Sequence, residues 1–277
     1  MLNPVKCNYK NLRDLLQSKE SLSAEQRLQL RQSIDEDGEC WKIWNKIRWD
    51  LASKSLGVEE LKIYLGSEFI PYFDSSWALS REWKSKSRNT KNSIEEFYKN
   101  TKNYIYNSVI FYESGDRLDL RPYFLELKSR FEISSVIDFG CGVGNDGLFM
   151  IEGGSKVFFV DFDSPTLDFL RWRLNKRKIE EKRFQMVDVK SSSLNNIAAD
   201  MFWSIDVLEH MKNPMEFFDC ISNSTRVIVY FTDADDKAKG RHPFHFKINH
   251  DAVSAELEKK GYISSPHPVL NVWVKKN

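Results

Sequence analysis

The chain has 277 residues, with Lys+Arg 41 against Asp+Glu 40, which leaves a formal net charge of +1. That balance excludes a global field drawing the chain to nucleic acid or to an acidic membrane surface. A composition of 41% hydrophobic and 29% charged residues excludes wholesale disorder.

Up to about Arg130 the patterning is helical. SLSAEQRLQLRQSIDEDG begins on a serine and is expected to stop at Gly38. CWKIWNKIRWDLASKSLG sets Trp41, Trp44, Ile47 and Leu51 at three-to-four spacing, an apolar stripe on one helix face. REWKSKSRNTK, from Arg81 to Lys91, is basic around one tryptophan. It reads as a solvated loop or as a surface that greets an anionic substrate. SIEEFYKNTKNYIYNSVIFY repeats the stripe with Ile94, Phe97, Tyr98, Ile105 and Val109, after Ser93 as candidate N-cap. Most of these aromatics read as the core of a helical subdomain over residues 1–125, which is expected to cover the substrate side. Tyr104 and Tyr106 are read instead as substrate contacts, because their helix leads directly into the second half.

From Ser134 onward strands alternate with helices. SSVIDFG, KVFFVDF, RFQMVDV, DMFWSIDV and RVIVYFT are short apolar runs ending near an acid or a glycine. SPTLDFLRWRLNKRKIEEK and PMEFFDCISN are helical between them. GYISS and VLNVWVKK close the chain as a hairpin on the sheet edge. The pattern predicts an α/β domain over residues 126–277, a doubly wound, mostly parallel seven-stranded sheet.

The run VIDFGCGVGNDG, Val136 to Gly147, places Asp138 ahead of Gly140, Gly142, Gly144 and Gly147. A strand that runs into glycines and then a helix lets backbone approach a ligand closely, at a helix N-terminus. The spacing also satisfies a dinucleotide fingerprint, with Asp161 about 20 residues on. A nicotinamide dinucleotide and S-adenosylmethionine therefore compete for the loop. The acids separate them. A dianionic pyrophosphate would be repelled by Asp138, whereas an ammonium and a sulfonium would be attracted. Asp161, Asp188 and Asp206 end the next three strands, lining the crevice where such sheets bind ligands.

VIDFGCGVG, FVDFDSPTLDFL, QMVDV and DMFWSIDVLEHMKNP, in that order, resemble the successive motifs of class I S-adenosylmethionine-dependent methyltransferases. The DVLEH form resembles a branch rich in small-molecule O- and C-methylating enzymes. The resemblance implies that Asp138, with the backbone of Gly140, Cys141, Gly142 and Gly144, holds the methionine moiety. It implies Asp161 on the ribose, Phe162 against the adenine, Asp188 and Val189 on the adenine edge, and Asp206 between cofactor and acceptor. The motif of enzymes that methylate base or glutamine amines, an Asn/Asp-Pro-Pro-aromatic run, is replaced here by Asp206-Val-Leu-Glu-His210. That speaks against a nucleic-acid acceptor and for a small-molecule or carrier-linked one. A nicotinamide-dependent oxidoreductase and a non-catalytic cofactor-binding partner are the alternatives.

Methyl transfer needs alignment above all, and a base only where the nucleophile arrives protonated. His210 and His245 are the candidate catalytic groups. His242 and His245, in RHPFHF after the fifth strand, are expected in a substrate-facing lid hinged at Gly240. His-x-x-His invites zinc, but Pro243 and the phenylalanines interrupt any helix, so no metal is expected. Cys7, Cys40, Cys141 and Cys220 are scattered and read as reduced thiols. With no apolar core in MLNPVKCNYKNLRDLL and no run of roughly 18 apolar residues, a cytoplasmic protein without membrane contact is expected.

Overall fold

The computed structural model describes residues 6–17, 24–190, 197–215, 225–232 and 243–276. The chain forms two units: residues 1–81 with 103–119, and residues 82–102 with 120–277. The division differs from a single cut after residue 125. Residues 82–102 lie in the helical half of the sequence but fold with the sheet.

The helical unit comprises α1 (Tyr9–Leu16), α2 (Ala24–Glu36), α3 (Gly38–Ala52), α4 (Leu56–Leu65), the start of α5 (Ser75–Lys84) and α7 (Asn103–Glu113). Gly38 opens α3 rather than closing a loop, because Asp37 caps that helix by accepting the Glu39 N–H at 3.0 Å. Trp41, Trp44 and Ile47 bury their stripe against Leu12, Leu15, Leu16, Leu30 and Ile34. Cys7 and Cys40 are joined by a disulfide that clamps the chain before α1 to α3. This corrects the expectation of reduced thiols for that pair. Spacing along the sequence cannot report that two residues 33 apart meet in space.

In the sheet unit, α6 (Lys91–Asn100) and α8 (Arg121–Arg130) precede β1 (Ser135–Phe139), α9 (Asn145–Glu152), β2 (Lys156–Asp161), α10 (Pro165–Lys176), β3 (Phe184–Asp188) and β4 (Met201–Ile205). β5 (Val227–Phe231), α11 (His250–Lys259), β6 (Tyr262–Ser265) and β7 (Asn271–Lys275) follow. The α6 cap is Thr90 rather than Ser93. Thr90 accepts the Ser93 N–H, and the Ser93 hydroxyl accepts the Thr90 N–H in return, each at 3.2 Å.

The seven strands run in the order β3-β2-β1-β4-β5-β7-β6, and β7 is antiparallel to both its neighbours. Five strands are therefore parallel, and the terminal hairpin lies on the edge as its sequence predicts. Apolar clusters cover both faces, one around Val136, Phe159 and Trp203, the other around Ile137, Phe202 and Tyr230. Burial on both faces is why these strands read as continuous apolar runs rather than alternating ones. At the start of β1, Asp200 accepts from the backbone N–H and hydroxyl of both Ser134 and Ser135 and pairs with Arg226. Burial works to raise its pKa, but these bonds outweigh that and hold the carboxyl well below its usual range. No described helix is long and apolar enough to cross a membrane.

Candidate active site

The strands β1 to β4 deliver their acids to one edge of the sheet, and the glycine loop wraps that edge. Gly140, Gly142 and Gly144 all adopt positive φ, between 52° and 75°. At Gly140 an added Cβ would lie 2.4 Å from Val207, on the turn after β4, so only glycine lets these turns approach. Gly144 then caps α9. Arg173 of α10 is buried and supports the loop from below, its guanidinium donating to Val143 O at 2.6 Å and Asn145 Oδ1 at 2.8 Å.

Asp138 is buried, and its Oδ2 accepts the Gly147 N–H at 3.1 Å. An added Cβ at Gly147 would sit 2.1 Å from Phe159 and 2.8 Å from Asp138 Oδ2. The fourth glycine thus makes room for protein, seating the first turn of α9 against the strand acid. Cys141 lies between two carboxylates, and burial together with Asp161 and Asp138 pushes its thiol pKa well up, so it stays a neutral thiol.

Asp161 is half-buried at the end of β2. One carboxylate oxygen accepts the Gly142 N–H and the other the Phe162 N–H, each at 2.7 Å. Burial raises its pKa to about 6 against the lowering effect of those two bonds. A carboxylate oxygen holds more than one acceptor site, so both retain capacity for a ligand hydroxyl. Asp188 is its register neighbour on β3 and is exposed, accepting the Lys190 N–H. The Val189 N–H is already given to Asp161 O, leaving Val189 its side chain and carbonyl for a ligand. Asp206 stands at φ 57, a left-handed conformation that costs a non-glycine residue on the order of 1 kcal/mol. Its N–H donates to Phe231 O, which fixes the turn leaving β4.

Residues 82–102 close over this edge. A bond from the Thr101 hydroxyl to Glu82 ties the ends of the segment together at 2.6 Å. Glu95 pairs with Lys190, and Lys99 and Lys190 lie 5.4 and 5.9 Å from the centre of the Phe162 ring. Trp83 and Phe97 pack on Phe244, while Arg88 lies over both of those rings. Arg88 of the basic run is therefore packed on aromatics, not left as a solvated charge.

His210 and His245 come together, ring centres 4.7 Å apart. Phe244 stacks on His210, and the Tyr98 hydroxyl lies 3.2 Å from His210 Nδ1. Burial drives the His245 pKa down to about 4, so it is neutral near pH 7. The Phe246 N–H donates to Glu209 O and fastens the segment after Pro243 to the turn below. His242, Gly240 and Cys220 lie outside the described residues. His250 is exposed and opens α11. Among the described residues no group of three or more His, Cys, Asp or Glu side chains is placed to hold a metal ion.

Tyr104 and Tyr106 belong to the helical unit. Tyr106 is buried there beside Trp49, Phe69 and Phe73, and its hydroxyl accepts the Ile70 N–H at 2.8 Å. Burial raises its pKa further. Sequence reasoning passed over Tyr98, Trp83, Lys99 and Arg173. Only the basic run beside Trp83 carried a signal toward them.

Residues 137–226 match the family model for a methyltransferase domain. Among solved structures, the chain is similar to the methyltransferase domain of bacterial CtHen1, at 18% identity over 57% of this chain and 100% of that one, with a TM-score of 0.44. It is similar to magnesium protoporphyrin IX methyltransferase from Synechocystis PCC 6803 with bound S-adenosylmethionine, at 12% identity over 74% and 98%, TM-score 0.48. A putative caffeoyl-CoA O-methyltransferase from Staphylococcus aureus shares 9% identity over 73% and 99%, TM-score 0.46. No curated protein matches the sequence significantly.

Proposed function

We propose, from the premise that residues 137–226 are a methyltransferase domain on a Rossmann-like sheet, that this enzyme moves a methyl group from S-adenosylmethionine to a small-molecule or carrier-linked acceptor. The observation that carries the reading is Asp161. It is a half-buried carboxylate pinned by the Gly142 and Phe162 N–H groups at the end of β2. It stands beside Asp188, and its bonding partners among the described residues are those two N–H groups rather than a cation.

The residues present fit the cofactor. Asp161 would accept from the ribose hydroxyls, Phe162, Asp188 and Val189 would flank the adenine, and Asp138 would offer negative charge toward the ammonium through the glycine loop. When bound, S-adenosylmethionine supplies an electrophilic methyl group on a sulfonium. Gly140, Cys141, Gly142 and Gly144 would let the backbone come close, and Asp206 would line the cofactor and acceptor side. Residues 82–102 exclude water from the edge and bring Tyr98 to the turn after β4. Within the sheet unit the acceptor-side role falls to this segment. A closed aromatic and imidazole lining suits a compact acceptor better than a polyanion, which needs a broad basic surface.

Titration calorimetry with S-adenosylmethionine, S-adenosylhomocysteine and NAD tests the reading. The first two should bind and NAD should not, and binding of NAD alone would overturn it. Cytoplasmic residence is a further proposal that the Cys7–Cys40 disulfide argues against, since reducing compartments keep such pairs open, and that pair is its test. Alkylation and mass spectrometry of protein from intact cells should find both thiols free if the protein resides there.

A further inference from the structure

The two flanks of α6 are held in different ways. On one, Ile94 and Phe97 are buried, and Phe97 packs with Trp83 on Phe244. Toward the turn after β4, the Tyr98 hydroxyl lies 3.2 Å from His210 Nδ1, and Lys212 Nζ donates to Asn89 O at 2.9 Å. Glu95 and Lys99, one helical turn apart, share the other flank. There Glu95 Oε1 pairs at 2.5 Å with Lys190 Nζ, just beyond β3. The ammonium groups of Lys99 and Lys190 lie over Phe162, just beyond β2. The Lys190 side chain is 44% exposed, so this pair sits at the solvent boundary. Parting such a pair costs far less than separating buried aromatic rings. The flank over β2 and β3 is therefore the one that yields first. The Thr101 bond to Glu82 keeps the ends of the segment together while it does so.

We propose that α6 is a lid over the nucleoside end of the cofactor, with the Glu95–Lys190 pair as its latch. S-adenosylmethionine enters, and S-adenosylhomocysteine leaves, past Phe162 when that latch parts. The proposal rests on the methyl-transfer reading above, which puts Phe162, Asp188 and Val189 around the adenine. Phe162 directly follows Asp161, and Lys190 directly follows Val189, so an element resting on both spans the mouth of that site. The aromatic flank stays in place, and the turn after β4 remains covered during exchange. A latch that is closed in both the free and the loaded protein has no differential affinity to lend. It sets how fast the cofactor exchanges and not how tightly it binds.

Surface plasmon resonance of S-adenosylhomocysteine over the immobilised full chain tests this, since a net-neutral zwitterion is little steered at long range. Glu95→Gln should raise the association and dissociation rates together by about two- to fivefold, with Kd unchanged within about twofold. The double variant carrying Glu95→Lys and Lys190→Glu restores a pair of opposite charges and should bring both rates back toward wild type. Sodium chloride at about 0.5 M should speed both rates in the wild type and leave those of Glu95→Gln nearly unmoved. Rates that Glu95→Gln does not change, a weaker Kd carried by dissociation alone, no recovery in the double variant, or wild-type rates indifferent to salt would overturn the lid. Wild-type protein that fails to bind S-adenosylhomocysteine by calorimetry would instead overturn the underlying methyl-transfer reading.

Discussion

The two units treat buried charge in opposite ways. In the helical unit Arg48 is buried against Asp116, with its guanidinium over Trp41 and Phe111, and Asp74 accepts the Trp41 indole N–H at 2.7 Å. Those charges are matched to protein partners. At the strand ends of the sheet unit Asp161 stands beside Asp188 instead, and its pKa rises to about 6. Within one sheet the contrast repeats: Asp200, on the opposite edge, is held below its usual range by four bonds from serines and by Arg226. A half-buried acid whose partners leave it above its ordinary range is poised for something the chain does not contain.

The comparison breaks first at the Cys7–Cys40 clamp. Closing a loop of that length contributes about 3–4 kcal/mol in the chain-entropy account. Cys7→Ser should therefore speed hydrogen exchange across α1 and α3 while leaving β1 to β3 and cofactor affinity unchanged. If exchange rose equally in the sheet, the two units would not be separate in energy as they are in contacts.

Next in size is Asp161→Ala. Two charge-assisted bonds to a ligand vanish, and the Gly142 N–H loses its anchor, each bond being worth about 1.5–3 kcal/mol. Affinity for S-adenosylmethionine should fall a hundredfold or more by calorimetry. Near-normal affinity would show this acid to be as structural as Asp200.

The raised pKa gives a smaller, pH-dependent effect. Because folded Asp161 ionises near 6 rather than 3.8, its charged form is disfavoured by folding. It therefore lowers stability as pH rises from about 4 to 6, and the fold is favoured on the acid side of that window. Cofactor binding runs the other way, since the ionised form accepts the ribose hydroxyls. Affinity should drop about tenfold between pH 7 and pH 5, and Asp161→Asn should flatten that profile. A flat profile in the wild type would remove Asp161 from the binding site.

What the sequence disclosed follows from this physics. Strands buried on both faces write themselves as apolar runs, and an acid at the end of such a run has no packing reason to be there. Asp138, Asp161, Asp188 and Asp206 were legible for that reason. Partnerships between distant segments were not. Trp83 reads as the lone tryptophan of a basic run and Phe97 as helical core, and nothing local to either indicates Phe244 as its neighbour. Arg173, within RWRLNKRK, looks like one more surface cation until the fold turns it under the loop. His210 and His245 stand in two separate loops of the sequence, and the Phe246 N–H bonding back to Glu209 O joins those loops in the fold.

The smallest effect concerns Tyr106, which its sequence position marks as a substrate contact and the fold places in the helical unit's core. Its ring is buried among Trp49, Phe69 and Phe73, and its hydroxyl accepts the Ile70 N–H. Tyr106→Phe keeps the ring and removes that acceptor together with the long bond the hydroxyl gives to Glu68 O at 3.4 Å, so the Ile70 N–H is left to water or to nothing. The cost should be about 1 kcal/mol, seen as a lower urea midpoint for the helical unit with an unchanged slope. Cofactor affinity and the acceptor KM should not move, whereas Tyr98→Phe should change the acceptor KM and leave the urea midpoint nearly where it was. The pair of variants separates the two units by function as the comparison separates them by charge. A raised acceptor KM in Tyr106→Phe at unchanged stability would return that tyrosine to the substrate side.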